Sequence, residues 1–378
     1  MWKEVLEGST RLVVPERGKF GLRESGMPRR PPVFYNPRMR LNRDVTCAVV
    51  RTFQREGEVR FADLLAGSGA KGLRVAKEVG CRVVLNDANP AAQELIKRNA
   101  ALNGLEVEVA GEEANLFLHT RYRAFTFIDL DPFGPPVPFL DAAAVNIADG
   151  GVLGVTATDT APLCGVYPKV CFRKYGAKPL RCEFVHEVGL RILLGHVART
   201  CARHARGMEC LLSHSTEHYF RGYVRVREGR QRANRALEDI GYLHYCRRCL
   251  ERVFERSMLP RPRQCCGKEM EVAGPLWLGP LREEVFTAAA AEEAGYLEDG
   301  KTKAFLEGLG GEIEAPFYHD THHLARVMEL DAVPVESLVQ MLREAGYRAS
   351  RTHFLKPGVK TDAPLGEIKR VVRERALG

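Results

Sequence analysis

The sequence predicts an α/β chain in which a Rossmann-like, doubly wound sheet is followed by a mixed α/β C-terminal domain. Three observations predict it. Over roughly a hundred residues after position 59, apolar, β-rich runs alternate with helix-periodic stretches, as in a parallel sheet covered on both faces. The first strand runs into a glycine-rich turn, and the second ends on an acidic residue about twenty positions later. Beyond position 160 this order gives way to short strands, paired cysteines and a helical end.

The elements follow in order. PVFYNPRMRLNRD (32–44) sets Phe34 and Tyr35 before an Asn36-Pro37 turn, and Asn42-Arg43-Asp44 opens a helix. Such a flap can lie over a flat ring; its plain alternative is a helix packed on the sheet with solvated arginines. VRFADLLAGSGAKGLRVAKEVG (59–80) reads as a buried strand, a turn with Gly67, Gly69 and Gly72, and an amphipathic helix. CRVVLND ends in Asp87, where a doubly wound fold presents a carboxylate to ribose hydroxyls. NAD enzymes and S-adenosylmethionine enzymes share this geometry, and a tight turn without a ligand spells it too. A helix over 89–104, a third strand from 105 leading to Glu113-Ala114, a strand at 124–130, a helix at 136–148 and a strand at 150–158 complete the sheet.

The fourth strand runs into Asp131-Pro132-Phe133-Gly134. Asp-Pro and Phe-Gly also spell an ordinary turn, but at a strand's carboxyl end this tetrapeptide suits methylation of an exocyclic amino group. That nitrogen is a weak nucleophile because its lone pair is delocalised into the ring. Asp131 and the Pro132 carbonyl can accept its hydrogens, and Phe133 can hold the ring by stacking. A hydride-transfer enzyme has no evident use for this motif, so S-adenosyl-L-methionine is the cofactor that loop and motif together favour.

These segments resemble the tRNA guanine-26 N2-dimethyltransferase family, a group of class I S-adenosylmethionine-dependent methyltransferases. The resemblance covers nearly the whole chain and rests on PVFYNPRMRLNRD, AGSGAKGLR with NDANP, DLDPFGPP, GPLWLGPL (274–281) and YRASRTHFLKPGVKTDAP (347–364). It implies transfer of one and then two methyl groups to N2 of a guanine in tRNA. By position it implies donor contacts at Arg43, Gly67, Gly69, Lys71, Asp87, Ala88, Glu113 and Ala114, and a base pocket of Phe34, Asp131 and Phe133. Lys71 stands where related sequences often carry Arg. Arg43 is expected to fork onto the carboxylate of the donor's methionine moiety.

The net charge of +8 is unevenly spread. Residues 160–270 hold 22 basic and 10 acidic side chains, whereas 45–159 hold 11 and 15, and 271–339 hold 4 and 14. Residues 1–44 and 340–378 are each +5. A positive field just past the sheet fits a partner rich in phosphate, here tRNA, although arginine runs are often solvated faces. VYPKVCFRKYGAKPLR (166–181) interleaves aromatics with cations, which suits stacking and phosphate contact together. Breaks at Pro162, Gly165, Pro168, Gly176 and Pro179 set the expected domains at 1–180, an N-terminal flap with the methyltransferase sheet, and 181–378, a tRNA-recognition domain.

Eleven cysteines, without a signal peptide or a membrane-length apolar run, point to a reducing, cytoplasmic setting. Cys246, Cys249, Cys265 and Cys266 resemble a zinc ribbon, although adjacent cysteines replace its usual second C-x-x-C and Arg263 stands where the family often has a ligand. His214-Ser215-Thr216-Glu217-His218 satisfies H-x-x-E-H, but its flanks read as two strands meeting at a turn, which is wrong for a metallopeptidase helix. His319, His322 and His323 read as a helix start or a phosphate-facing patch. From about 316, helix, helix and strand resemble a winged-helix module. Two further readings stay open here: an N6-adenine methyltransferase with the same donor and motif, and a non-catalytic RNA-binding protein on the same scaffold.

Overall fold

A computed structural model describes residues 2–16 and 32–377. Part of the basic N-terminal segment, residues 17–31, lies outside the described residues. An antiparallel hairpin, β1 (Trp2–Glu7) and β2 (Thr10–Pro15), precedes the flap. In the flap Asn36 caps a short turn at Pro37–Met39 by accepting from the Arg38 N–H, with proline at the first helical position. The helix that follows, α1 (Arg40–Gln54), therefore opens two residues earlier than the sequence suggests.

The sheet then forms from β3 (Arg60–Asp63), α2 (Ala70–Arg74), β4 (Arg82–Asn86), α3 (Pro90–Leu102), β5 (Glu108–Ala110) and α4 (Ala114–Thr120). It continues with β6 (Phe125–Leu130), α5 (Val137–Asn146) and β7 (Ile147–Ala157). Two short helices, α6 (Thr160–Leu163) and α7 (Pro168–Tyr175), lead to α8 (Val185–Arg203) and to a hairpin of β8 (Arg206–Thr216) and β9 (Tyr219–Glu228).

Strand order is β5-β4-β3-β6-β7-β9-β8; the first five strands are parallel, and β9 and β8 are antiparallel to their neighbours. The chain starts at β3, winds outward to β5 and returns at β6, so the switch point lies between β3 and β6, where such folds bind ligands at the strands' carboxyl ends. Successive residues alternate between two cores: Phe61 and Phe127 stack at 5.1 Å on one face, while Ala62 and Ile128 face the other. Truncating a ring buried like that of Phe127 costs about 3–5 kcal/mol.

The sheet continues past the division expected at 180/181, taking in β8 and β9 and ending at Glu228. An edge hairpin needs no crossover helix, and the Pro and Gly breaks at 162–179 fall at and around α6 and α7.

The remaining half comprises α9 (Arg230–Glu238), β10 (Ile240–Tyr245), β11 (Arg252–Glu255), a small hairpin of β12 (Gln264–Cys265) and β13 (Lys268–Glu269), and β14 (Glu271–Trp277). Next come α10 (Glu284–Glu293) and α11 (Lys301–Gly310), which return to pack on α1; Arg51 on α1 donates to Glu293 at 2.7 Å. The end consists of β15 (His319–Asp320), α12 (Thr321–Met328), α13 (Val335–Glu344), β16 (Ala349–Arg351), β17 (Gly358–Thr361) and α14 (Leu365–Leu377). Its helix, helix, strand order is the expected one, and Asp320 caps α12 through the His322 and His323 N–H groups. Fully buried Glu187 on α8 fastens this module by accepting from the Phe317 and Tyr318 N–H groups at 2.9 and 3.2 Å. No described helix is long and apolar enough to cross a membrane.

Candidate active site

A cleft of about 1280 Å³ opens at the switch point. Phe34, Arg43, Gly67, Lys71, Asp87, Asp131 and Phe133 all line it, drawn together from segments almost a hundred residues apart. Its first wall is the glycine turn. Gly67 has φ 54°, a left-handed conformation, and a Cβ there would stand 3.3 Å from the Phe34 carbonyl oxygen. Its N–H donates to Asp87 at 2.7 Å, and the other carboxylate oxygen of Asp87 accepts from Asn89 N–H at 2.9 Å. This carboxylate is thereby aimed by backbone. Gly69 precedes α2 at φ 76° and lies behind the lining; Gly72 lets α2 approach the sheet, since a Cβ would come within 2.7 Å of Leu85.

Ala88, Glu113 and Ala114 also lie outside the cleft lining. Glu113 caps α4, accepting from Asn115 and Leu116 N–H at 3.0 Å each. The loop carrying it runs beside Asp87, because Asn86 bonds both the Glu112 carbonyl and the Glu112 N–H at 3.0 Å.

Beneath the opposite wall is a buried charge network. The Lys71 ammonium donates to Asp129 at 2.6 Å and to Asp131 at 2.7 Å. Behind it, Arg221 of β9 pairs with Asp129 and donates to Thr156 at 2.8 Å. Gly154 on β7 makes room for that pair, since a Cβ would lie 2.5 Å from an Arg221 nitrogen. Burial alone would raise the pKa of Asp131, but Lys71 and Arg221 outweigh it and hold the carboxyl below its ordinary range. Asp63 next to them is pushed the other way, to about 7, by burial and by the charge of Asp129. Lys71 holds one Asp131 oxygen, the Thr156 side chain also bears on this carboxylate, and Asp131 still lines the cleft.

Phe133 is 73% exposed and Phe34 41% exposed, and their rings meet edge to face at 4.2 Å. For a flat ring to stack between them the two would have to part by about one aromatic thickness on each side. Arg43 does fork, but onto Glu7 of the N-terminal hairpin, at 2.6 Å and 2.5 Å, and it also donates to the Asn36 carbonyl at 3.2 Å. Glu7, Arg74, Asp44 and Glu78 extend this ionic web below α1. Glu7 went unrecognised in the sequence because its partner lies 36 residues away. Glu217, His218 and Tyr219 were also missed. They line the cleft from the β8–β9 turn, the segment that spells H-x-x-E-H. The strands-and-turn reading of that segment is correct, and His214 is fully buried, with its ring Nδ1 on Thr216 at 2.8 Å.

The four expected thiols converge: the Sγ atoms of Cys246, Cys249, Cys265 and Cys266 all lie within 4.8 Å of one another. Cys249 and Cys265 are 3.4 Å apart, and Cys265 and Cys266 3.9 Å. Tetrahedral ligands about 2.3 Å from zinc stand roughly 3.8 Å apart, so the set fits that ion. Adjacent cysteines manage this because Cys266 takes φ 52° before Gly267 at φ 76°.

A doubly wound sheet with a glycine turn, a backbone-aimed acid and an Asp-Pro-Phe-Gly turn at the end of the fourth parallel strand defines a class I S-adenosylmethionine-dependent methyltransferase. Within that class, residues 8–373 match the model of the N2,N2-dimethylguanosine tRNA methyltransferase family, and the chain belongs to that family. It is 40% identical to the tRNA (guanine(26)-N(2))-dimethyltransferase of Methanothermobacter thermautotrophicus, covering 97% of this chain and 98% of that protein. It is 41% identical to the enzyme of the same name from Methanosarcina acetivorans, with 98% of each covered. Among solved structures it is similar to Trm1 from Pyrococcus horikoshii in complex with S-adenosyl-L-methionine, with a TM-score of 0.88 and 35% identity over 98% of this chain and 99% of that one.

Proposed function

We propose that the chain methylates N2 of guanine 26 in tRNA, first once and then twice, with S-adenosyl-L-methionine as donor. The observation that carries this reading is Asp131, held by Lys71 and lining a cleft shared with the Gly67–Asp87 wall and two exposed phenylalanines. Asp87 is suited to the ribose hydroxyls, the Gly67 turn to close backbone contact, and Arg43, braced by Glu7, to the donor's carboxylate. Gly69, Ala88, Glu113 and Ala114 stay on the donor side in this reading, from behind the cleft lining, while Lys71 acts on the base side by holding Asp131. When bound, the donor supplies an electrophilic methyl group on a positively charged sulfur.

Phe34 and Phe133 hold the guanine ring, and the Asp131 carboxylate and the Pro132 carbonyl accept the amino hydrogens. The nitrogen lone pair is then aligned with the methyl. Catalysis is mostly orientation. Each transfer would form one N2–CH3 bond as the donor's S–CH3 bond breaks and leaves a neutral thioether, and the displaced N2 proton would pass to Asp131 or to water. Monomethylguanine keeps one hydrogen for Asp131, so the same acceptor serves the second step.

Residues 2–228 form the catalytic part in this proposal, and the half after them holds the tRNA body. Cys246, Cys249, Cys265 and Cys266 bind one zinc ion that closes the β12–β13 hairpin; elemental analysis reading one zinc per chain supports this, and none contradicts it. The main test is mass mapping of tRNA nucleosides after incubation with donor. N2,N2-dimethylguanosine is expected from a transcript with guanine at 26, and no product from one with adenine there. Methylation of that adenine would replace this reading with N6-adenine transfer, and tRNA binding without any transfer would leave an RNA-binding scaffold.

A further inference from the structure

The stretch between Asp159 and Glu183 carries five basic residues and no acidic one. Its centre is α7, whose two faces differ. Cys171 and Tyr175, four residues apart, are buried against the sheet's helices. On the outside Tyr167 and Phe172 are 57% and 67% exposed, with Lys169 and Arg173 exposed beside them. Lys174 is different, since its ammonium is tied to Asp159 at 3.0 Å.

The helix is anchored close to the cleft. Tyr175 donates to Asp159 at 2.6 Å. The preceding residue, Thr158, lines the cleft and accepts from Gly134 N–H in the Asp-Pro-Phe-Gly turn at 2.7 Å. An eight-residue helix spans about 12 Å, the length of roughly two nucleotides of RNA. The helix is thus tied to the residue next to cleft-lining Thr158, and its outer face carries exposed aromatics flanked by cations and by no carboxylate from its own segment.

We propose that this outer face of α7 is a docking surface for the RNA strand next to the target guanine. Tyr167 and Phe172 stack on bases, while Lys169 and Arg173 contact phosphates. Every base offers an aromatic face, so stacking tolerates sequence differences, and the cations match a polyanion. A target base drawn out of its stack leaves its neighbours' faces uncovered, and apolar rings beside the cleft are placed to cover them. The inference rests on the proposed action on tRNA and assigns part of the grip to named side chains.

The test uses the full chain and a transcript with guanine at 26, with tRNA affinity measured across a salt series and methylation measured on the same samples. Tyr167→Ala and Phe172→Ala are each expected to weaken binding about tenfold with the salt slope unchanged, and Phe172→Trp to restore it. Lys169→Gln with Arg173→Gln is expected to flatten the log–log salt slope by about 2. These side chains are exposed, and unchanged thermal melting separates lost contact from lost fold. Wild-type affinity in both aromatic variants, or an unchanged slope in the double cation variant, overturns the surface while leaving the catalytic reading intact. A wild-type chain that makes no N2-methylguanosine overturns the reading beneath it instead.

Discussion

Lys71 and Arg221 under the cleft, and Lys169 and Arg173 on α7 beside it, carry the same charge in opposite surroundings. The first pair is at most 6% exposed and is held by Asp129 and Asp131. The second faces solvent in a stretch without acids. A buried cation cannot release its partner cheaply, so its charge fixes the protonation and direction of a carboxylate. An exposed cation exchanges counterions and acts on encounter and binding. Interior cations should therefore appear in the rate of transfer and its pH dependence, and surface cations in affinity and its salt dependence.

Three sets of substitutions break or sharpen this contrast. The largest effect among them falls on the donor wall. Asp87→Ala removes a carboxylate aimed by Gly67 and Asn89, and hydrogen bonds to charged groups contribute about 1.5–3 kcal/mol. Calorimetry is expected to show a roughly 10- to 100-fold rise in the donor's Kd, and unchanged affinity would remove Asp87 from the donor site. Lys71→Met is expected to slow single-turnover transfer about tenfold near neutrality and to reshape its pH profile. Without the ammonium, burial is less opposed, the Asp131 pKa rises, and the acid limb moves to higher pH, whereas Lys71→Arg keeps it low. An acid limb in the same place would mean that Lys71 does not control Asp131. The smallest effect on chemistry belongs to Lys169→Gln with Arg173→Gln, which should change turnover at saturating tRNA less than about twofold, since phosphate contacts position rather than react.

The parts of the site that were legible in the sequence are those whose chemistry is local. Asp131-Pro132-Phe133-Gly134 at a strand end, and Gly67 and Gly69 with positive φ before a helix, leave marks within a few residues of themselves. Asn36-Pro37 marked the turn before α1 for the same reason, although the helix begins slightly earlier. What stayed hidden joins distant segments. Lys71 meets Asp129 and Asp131 across 58 and 60 positions, and Arg221 reaches Asp129 across 92. Such register follows from sheet order, which local pattern does not carry.

The basic excess of residues 160–270 overstates the exposed charge for a related reason. Arg191, Arg206 and Arg221 belong to it, yet they are 1%, 3% and 0% exposed, bonded to carbonyls and carboxylates inside the fold. A count of charges does not distinguish a grip on phosphate from a strut within a sheet. The cysteine cluster was legible by composition, and the left-handed Cys266 supplied the bend that its irregular spacing required.

The most direct test of the central claim is the single-turnover rate of Asp131→Ala at saturating tRNA and donor, with donor affinity measured alongside. If Asp131 is the acceptor that aligns N2 on a backbone-held donor, the rate is expected to fall by about a thousandfold or more, while the donor's Kd changes less than about threefold. A variant that retains a tenth of the wild-type rate would contradict the assignment of Asp131 and, with it, the mechanism built on the Lys71 bridge.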